Sequence, residues 1–159
     1  MTVKEYNNIV DEYSDKLYRY VLKTMREADT SMDIVQDSFE KLWNNREKVD
    51  LEKVGGWLFR TSYNAVIDIK RKGYRQVYTD EVPERGAEGN YSDLKELLNE
   101  ALSRINEKQR TAILLRDYEG YSYNEIGEIM SLNESQVKIT IFRGRVALKE
   151  YIGAVDAVI

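Results

Sequence analysis

Residues 135–149 contain two lysines and two arginines but no aspartate or glutamate. Such one-signed charge suits the phosphate backbone of DNA, where lysine and arginine displace condensed counterions. The same stretch begins with short polar side chains that can hydrogen-bond to base edges in the major groove. We therefore predict DNA contacts from Asn133, Ser135, Gln136, Lys138, Thr140, Arg143 and Arg145.

Two helices joined by a tight turn would position these side chains. Ser122 and Glu125 have the spacing of a capping box, which predicts that the first helix begins there. Residues 131–133 interrupt the apolar spacing, and Asn133 or Ser135 can cap a second, cationic helix. The pattern predicts a helix-turn-helix with its second helix in the major groove. Two amphipathic helices of an ordinary bundle are the alternative, although cap, spacing and charge together favour DNA.

A second basic segment spans residues 60–75, where five cations accompany a single acid, Asp68. Its cations can position phosphates, and the amide of Asn64 can read a base edge. Trp57 and Tyr63 could stack on unpaired bases or belong to a core, and the apolar neighbours of Trp57 favour the core for that residue. Asp68 could be a structural residue that pairs with a nearby cation.

A polar, acidic strip precedes this segment. Asp33, Gln36 and Asp37 share one side of a predicted helix, at i, i+3 and i+4 spacing. Such a strip can recognise a basic partner helix through charge-assisted hydrogen bonds. A solvated surface without a partner is the alternative.

Composition excludes most catalytic and metal chemistry. The 159 residues include no cysteine and no histidine, so disulfides, imidazole catalysis and histidine metal sites are absent. No acidic loop with metal-ligand spacing occurs, and we expect no metal and no cofactor. With no signal peptide and no apolar stretch of about 20 residues, we expect no membrane insertion and a cytoplasmic location. The net charge of −4 predicts weak DNA binding by the chain alone, and hence a larger partner.

Apolar residues recur at helical spacing in two parts of the chain, which predicts an all-α fold. We expect two small helical domains, residues 1–75 and 92–159, the second ending in the helix-turn-helix. A flexible acidic linker, residues 76–91, would join them, and it contains the only proline of the chain, Pro83. The apolar tail, residues 153–159, has no predicted placement.

Three segments, in this order, resemble the extracytoplasmic-function (ECF, group 4) sigma factors of bacterial RNA polymerase. Residues 33–43 (DIVQDSFEKLW) are similar to the family's polymerase-docking helix. Residues 57–71 (WLFRTSYNAVIDIKR) are similar to its W-L-x-R-x-x-x-N-x-x-x-D pattern. Residues 109–145 are similar to its promoter-reading helix-turn-helix. The resemblance extends over about residues 5–75 and 92–152.

The resemblance implies a sigma factor that directs RNA polymerase to specific promoters through their −35 and −10 elements and assists DNA opening, without being an enzyme. It implies core RNA polymerase (the largest-subunit clamp helices and the flap) and promoter DNA as partners, and a monomer when free. Many family members also bind an anti-sigma factor. The acidic strip of Asp33, Gln36 and Asp37 would dock on the clamp helices.

In the first domain, the resemblance implies a loop that captures a base flipped from the downstream element. Together with the basic segment, the residues predicted to contact downstream DNA are Asn44, Asn45, Arg46, Lys48, Arg60, Asn64, Lys70, Arg71 and Lys72. One position of the second domain departs from the family's pattern. Where members often carry Ser-Arg after V-K, this chain has Ile139 and Thr140. A base-reading cation is lost there and apolar contact, for example with a thymine methyl, is gained.

Two other classes of protein are compatible with the sequence. A stand-alone helix-turn-helix regulator would bind duplex DNA by itself as a dimer, with residues 1–75 as a sensor or dimerisation domain. A helical adaptor would have no DNA role. An enzyme is the least favoured class, because no constellation of nucleophile, base and metal occurs.

Overall fold

Seven α-helices form the part of the chain that the computed structural model describes, residues 1–73 and 89–158. They are α1 (Val3–Met25), α2 (Ala28–Asn44), α3 (Val54–Arg71), α4 (Gly89–Arg104), α5 (Glu107–Ile113), α6 (Tyr123–Met130) and α7 (Glu134–Val158). No strand occurs in these two ranges, in agreement with the predicted all-α class. None of the described helices is long and apolar enough to cross a bilayer.

Helices α1 to α3 form a first module, residues 1–73. Thr2 and Glu5 form a capping box that begins α1, and Arg26, in the left-handed conformation at φ 58°, ends it. A 3₁₀ turn, Leu51–Lys53, leads into α3. Trp57, expected in the core, is only partly buried and packs at its edge. The three helices bury apolar side chains between them, including Leu17, Val21, Ile34, Leu42, Leu58 and Val66.

Helices α4 to α7 form a second module, residues 89–158, in which side-chain caps begin α5 and α6. The side-chain oxygen of Asn106 accepts a hydrogen bond from the backbone N–H of Gln109 at 2.9 Å, which begins α5. Ser122 and Glu125 form the capping box that begins α6. Between α5 and α6 the helix widens into a π-helical turn, Leu114–Tyr118. The unplaced apolar tail is helical, since α7 continues to residue 158.

The two modules pack against each other, and one cluster of buried side chains runs through both. Helix α1 contacts α4 and α5, and α3 contacts α6. The rings of Phe59 and Tyr121 meet edge to face across this inter-module interface, with centroids 5.4 Å apart and planes at 70°. Most of the predicted linker, residues 76–88, lies outside the described residues, whereas residues 89–91 already belong to α4.

Ion pairs lie around the apolar centre of the inter-module interface. Arg19 of α1 lies 2.9 Å from the carboxylate of Glu119, and Arg26 lies 3.9 Å from that of Glu100. In each of these pairs the cation belongs to the first module and the acid to the second. The sequence predicted two domains but did not indicate that their surfaces would meet in this way.

Candidate nucleic-acid interface

Helix α6, the turn at residues 131–133 and helix α7 form the predicted helix-turn-helix. In the turn, Ser131 adopts the left-handed conformation at φ 58°, and the backbone N–H of Leu132 donates to the carbonyl oxygen of Gly127 at 2.9 Å. A β-carbon at Gly127 would lie only 2.5 Å from the carbonyl oxygen of Leu132. Glycine therefore allows the turn to close, and the closed turn fixes α7 relative to α6.

The inner side of α7 packs on the rest of the second module. Val137 and Ile141 are buried there, and a β-carbon at Gly144 would lie 2.6 Å from Cδ1 of Ile113. Since an α-helix has 3.6 residues per turn, the opposite side of α7 runs along Ser135, Ile139, Phe142 and Val146. We call this line the outward face of α7. In a helix-turn-helix, the corresponding face of the second helix lies in the major groove.

Several polar side chains that were predicted to contact DNA make hydrogen bonds within the first turns of α7. The side-chain oxygen of Asn133 accepts from the backbone N–H of Gln136 at 2.8 Å, and Oε1 of Gln136 accepts from the backbone N–H of Asn133 at 2.9 Å. The hydroxyl of Thr140 donates to the carbonyl oxygen of Gln136 at 2.6 Å. Asn133 is therefore the cap, and Ser135 remains exposed without a side-chain hydrogen bond to any described residue.

The cations of α7 are exposed but differ in their partners. Arg145 donates two hydrogen bonds to Asp117, at 2.6 and 3.3 Å, and this bonding raises the pKa of the guanidinium above its ordinary value. Lys138 lies 3.7 Å from the carboxylate of Glu134. Arg143 makes no hydrogen bond or ion pair within the described ranges. All these partners lie in the second module, so none of the three cations takes part in the inter-module interface.

Three exposed apolar side chains lie on the outward face of α7, and the prediction did not include two of them. Ile139 is 43% exposed, Phe142 64% and Val146 41%. Ile139 was expected near the groove, whereas Phe142 and Val146 were not among the predicted contacts. The helical spacing of Phe142 and Val146 relative to Val137 and Ile141 could have identified them, because it assigns both residues to the side of α7 away from the core.

The acidic strip lies where its spacing predicts. Asp33, Gln36 and Asp37 are exposed along one side of α2, while Ile34 and Val35 point into the core. No hydrogen bond or ion pair joins the strip to another described residue. Its carboxylates therefore face solvent and are open to a basic partner.

The turn after α2 holds part of the predicted downstream contact. The guanidinium of Arg46 stacks 4.0 Å from the ring centroid of Trp43 and donates to its carbonyl oxygen at 2.8 Å. The amide of Asn45 donates to the carbonyl oxygen of Lys41 at 2.7 Å. These bonds order the turn. Two further predicted contacts, Asn44 and Lys48, remain exposed beside it.

The middle of α3 forms a shallow pocket of about 510 Å³ around the exposed Asn64. Asp68 at its edge pairs with Arg71 at 2.9 Å and Lys72 at 3.1 Å. The hydrogen bond from Lys72, with its charge, holds the pKa of Asp68 below its usual value. Asp68 thus pairs with nearby cations, as the sequence interpretation expected. Lys41, on the neighbouring helix α2, also lines the pocket.

Two predicted DNA-binding cations of α3 are turned toward the second module. Arg60 donates to the backbone carbonyl oxygen of Glu128 in α6 at 2.9 Å. The ammonium of Lys70 lies 3.0 Å from the carboxylate of Glu107 in α5. Neither cation lines the pocket around Asn64, and both contact the second module across the inter-module interface.

Comparison with known proteins gives matches over both modules. The family model Sigma-70 region 2 matches residues 9–76, and the model Sigma-70, region 4 matches residues 95–148. The chain is 30% identical to the ECF RNA polymerase sigma factor SigW of Bacillus subtilis, over 91% of this chain and 87% of that protein. It is 28% identical to the ECF RNA polymerase sigma factor SigM of the same species, over 94% of each chain.

A solved structure shares the fold. The sigma factor RpoE from Bartonella quintana, crystallised in complex with the anti-sigma factor NepR, superposes with a TM-score of 0.77. The match covers 95% of this chain and 98% of that chain at 24% sequence identity. The likeness therefore includes both helical modules.

Proposed function

The chain belongs to the ECF sigma factors of bacterial RNA polymerase, and we propose that its two modules divide the recognition of a promoter between them. Proteins of this family direct the polymerase to specific promoters and initiate transcription there. One observation carries the proposal for this chain: the outward face of α7 is exposed, has cations beside it and includes no acid between residues 135 and 149. That face suits the major groove of the upstream element.

In this proposal, the second module positions itself through phosphates and reads bases with the start of α7. Lys138, Arg143 and Arg145 contact the backbone, and Ser135 contacts a base edge. Asn133, Gln136 and Thr140 support this contact by ordering the first turns of the helix, since their side chains bond within it.

The first module contacts the downstream element and assists its opening. Asn64 and its pocket supply an amide beside the ordered turn of Asn44, Asn45, Arg46 and Lys48, where a flipped base can be held by stacking and edge contacts. Arg71 and Lys72 neutralise phosphates nearby. Arg60 and Lys70 join this surface once they leave their partners in the second module.

The acidic strip of α2 docks on the core polymerase in this proposal. Core polymerase then supplies the affinity that a chain of net charge −4 lacks. The protein has no catalytic role of its own, acts in the cytoplasm with the polymerase and is a monomer when free. An anti-sigma factor is a further candidate partner, since RpoE was crystallised with one. A stand-alone regulator is less well supported, because both sigma regions match in order.

Transcription in vitro tests the function directly. Purified chain is added to core polymerase on fragmented genomic DNA, and the start sites are mapped by sequencing transcript 5′ ends. We expect discrete start sites that share two upstream motifs and are absent with core polymerase alone. Tight, dimeric binding of the isolated chain to duplex DNA, without any gain in specific transcripts, would instead identify a stand-alone regulator.

Charge reversal tests the docking surface. Replacing Asp33 and Asp37 by lysine should weaken binding to core polymerase at least tenfold, because each charge-assisted hydrogen bond contributes about 1.5–3 kcal/mol. Asp11 and Asp15 of α1 are also exposed and have the same spacing, so their double lysine variant is the matched control. Equal affinities of the two variants, measured by fluorescence anisotropy, would reject the assignment of the strip.

A further inference from the structure

We propose that Ile139 is a specificity-determining residue that reads the C5-methyl group of one thymine in the upstream promoter element. The inference deepens the proposed function and rests on it. The sequence suggested an apolar contact at this position, and the inference assigns that contact to one side chain and one chemical group of a base, on a surface otherwise suited to phosphates and base edges.

The position of Ile139 on α7 is the first argument. Val137 and Ile141, two residues away on either side, are 0% and 2% exposed, whereas Ile139 is 43% exposed. The side chain therefore contributes little to the core of the second module. It lies in the second turn of α7, and the early residues of a recognition helix are those that contact base edges. Its exposure is present while the two modules are packed together, so access requires no rearrangement.

The charges beside Ile139 identify the occupant of this surface. At 3.6 residues per turn, Lys138, Arg145 and Lys149 lie along one flank of the outward face and Arg143 along the other. An apolar centre between cationic flanks matches the major groove, where base edges lie between two phosphate backbones. A second copy of the same face would bring Lys138, Arg143 and Lys149 near other cations, so it is a less favourable occupant than the phosphate-flanked groove of DNA.

The chemistry of the side chain selects the base. In the major groove only thymine presents a methyl group, while the other edges present donors or acceptors alone. Isoleucine can satisfy none of these polar groups, and leaving one desolvated is unfavourable. Contact with the thymine methyl removes apolar surface of both partners from water. Ile139 therefore favours thymine at one position of the upstream element.

Val146 provides an internal comparison. It lies on the same outward face and is 41% exposed, but it is seven residues further along α7. That separation is about 10 Å at 1.5 Å per residue, roughly three base-pair steps. Val146 therefore lies about two helical turns further from the N-terminal residues of α7, which are those expected to contact base edges. If the outward face instead bound an apolar protein partner, Val146 and Ile139 would both contribute.

Deoxyuridine, which lacks only the C5-methyl group, tests the contact. The full chain is combined with core polymerase on a promoter mapped as above, and each thymine of the upstream element is replaced in turn by deoxyuridine. Open-complex affinity is measured for the natural chain, Ile139→Ala and Val146→Ala. Both substitutions replace a β-branched side chain exposed on the same helix by alanine, so their effects on helix stability should be alike.

We expect one thymine at which deoxyuridine weakens binding about fourfold for the natural chain and for Val146→Ala. That factor corresponds to about 0.8 kcal/mol for one buried methyl group. Ile139→Ala should already be weaker by a similar factor and should not distinguish thymine from deoxyuridine there. No sensitive thymine for the natural chain, or the same sensitivity in Ile139→Ala, would overturn the assignment.

The proposed function and the role of Ile139 can be rejected separately. If no promoter-specific start sites are found, the proposed function itself fails and Ile139 loses its role with it. If start sites are found but no thymine is sensitive, the sigma-factor function stands and only the role of Ile139 is rejected. Loss of the thymine effect in Val146→Ala, with the effect retained in Ile139→Ala, would assign the methyl contact to Val146 and overturn the role of Ile139.

Discussion

The two modules hold their DNA-binding cations in different ways. In the first module, Arg60 and Lys70 contact the second module, at Glu128 and Glu107. In the second module, the partners of the α7 cations belong to that module alone, and Arg143 makes no ion pair within residues 1–73 and 89–158. The outward face of α7 is thus available in the packed arrangement, whereas part of the downstream-reading surface is not.

This difference indicates an order of events. The upstream element can be contacted while the modules remain packed, but full use of the α3 cations requires contacts between the modules to be exchanged for contacts with DNA. Single ion pairs at partly exposed positions are weak, each contributing about 0.2–1 kcal/mol. Lys70 and Glu107 remain 34% and 23% exposed in their side chains. Contacts with DNA phosphates can therefore replace these inter-module ion pairs.

The largest effect is expected from a variant that disrupts the helix-turn-helix and, with it, the outward face of α7. Gly127→Ala should place a β-carbon against the carbonyl oxygen of Leu132 and destabilise the helix-turn-helix by about 1–3 kcal/mol. Promoter-specific transcription should fall sharply, while polymerase binding through α2 persists. Gly153→Ala is the control, because no atom lies within 4 Å of the added carbon. Denaturant unfolding and transcription measure the two outcomes, and equal stability of both variants would contradict the prediction.

A smaller effect is expected from separating the modules. A β-carbon at Gly55 would lie 2.6 Å from the hydroxyl oxygen of Tyr13 and 2.7 Å from that of Tyr121. Gly55→Ala should push these rings apart, loosen the inter-module interface and increase the radius of gyration in small-angle X-ray scattering. Gly56→Ala adds the same carbon into open space and should leave the scattering unchanged. If Gly55→Ala also scatters like the natural chain, the interface accommodates the change.

The smallest effect concerns a single ion pair. Glu107→Gln should release Lys70 and speed promoter opening up to about fivefold, equivalent to at most about 1 kcal/mol. Permanganate reactivity of unpaired thymines measures the rate. Glu100→Gln removes another inter-module acid, whose partners Arg26 and Arg104 are not predicted to bind DNA. A similar gain in both variants would mean that loosening the modules, rather than freeing Lys70, speeds opening.

Local signals predicted much of the second module. The predicted caps at Ser122 and Asn133 are formed, because each joins a side chain to a backbone group three residues away. Such interactions are encoded within one turn of the chain. The exposed side of α2 was predictable for the same reason, since helical periodicity assigns Asp33 and Asp37 to one side and Ile34 to the other.

Interactions between distant residues were not predictable in this way. Arg60, Lys70 and Arg71 are all cations of the same helix, and nothing in the local sequence distinguishes their partners. Arg60 contacts a carbonyl oxygen 68 positions away, whereas Arg71 contacts Asp68, three positions away. The partners depend on how α3 meets α6, which a pattern within α3 cannot encode.

The sequence by itself determined the helices, their caps and the residue types on each surface, because these depend on neighbours within a few positions and on the period of the α-helix. Only the tertiary structure decided which of those surfaces remain open. Packing of the first module on the second pairs Arg60 and Lys70 with groups of the second module and leaves the outward face of α7 exposed. The reason is that burial depends on shape complementarity between elements far apart in the chain.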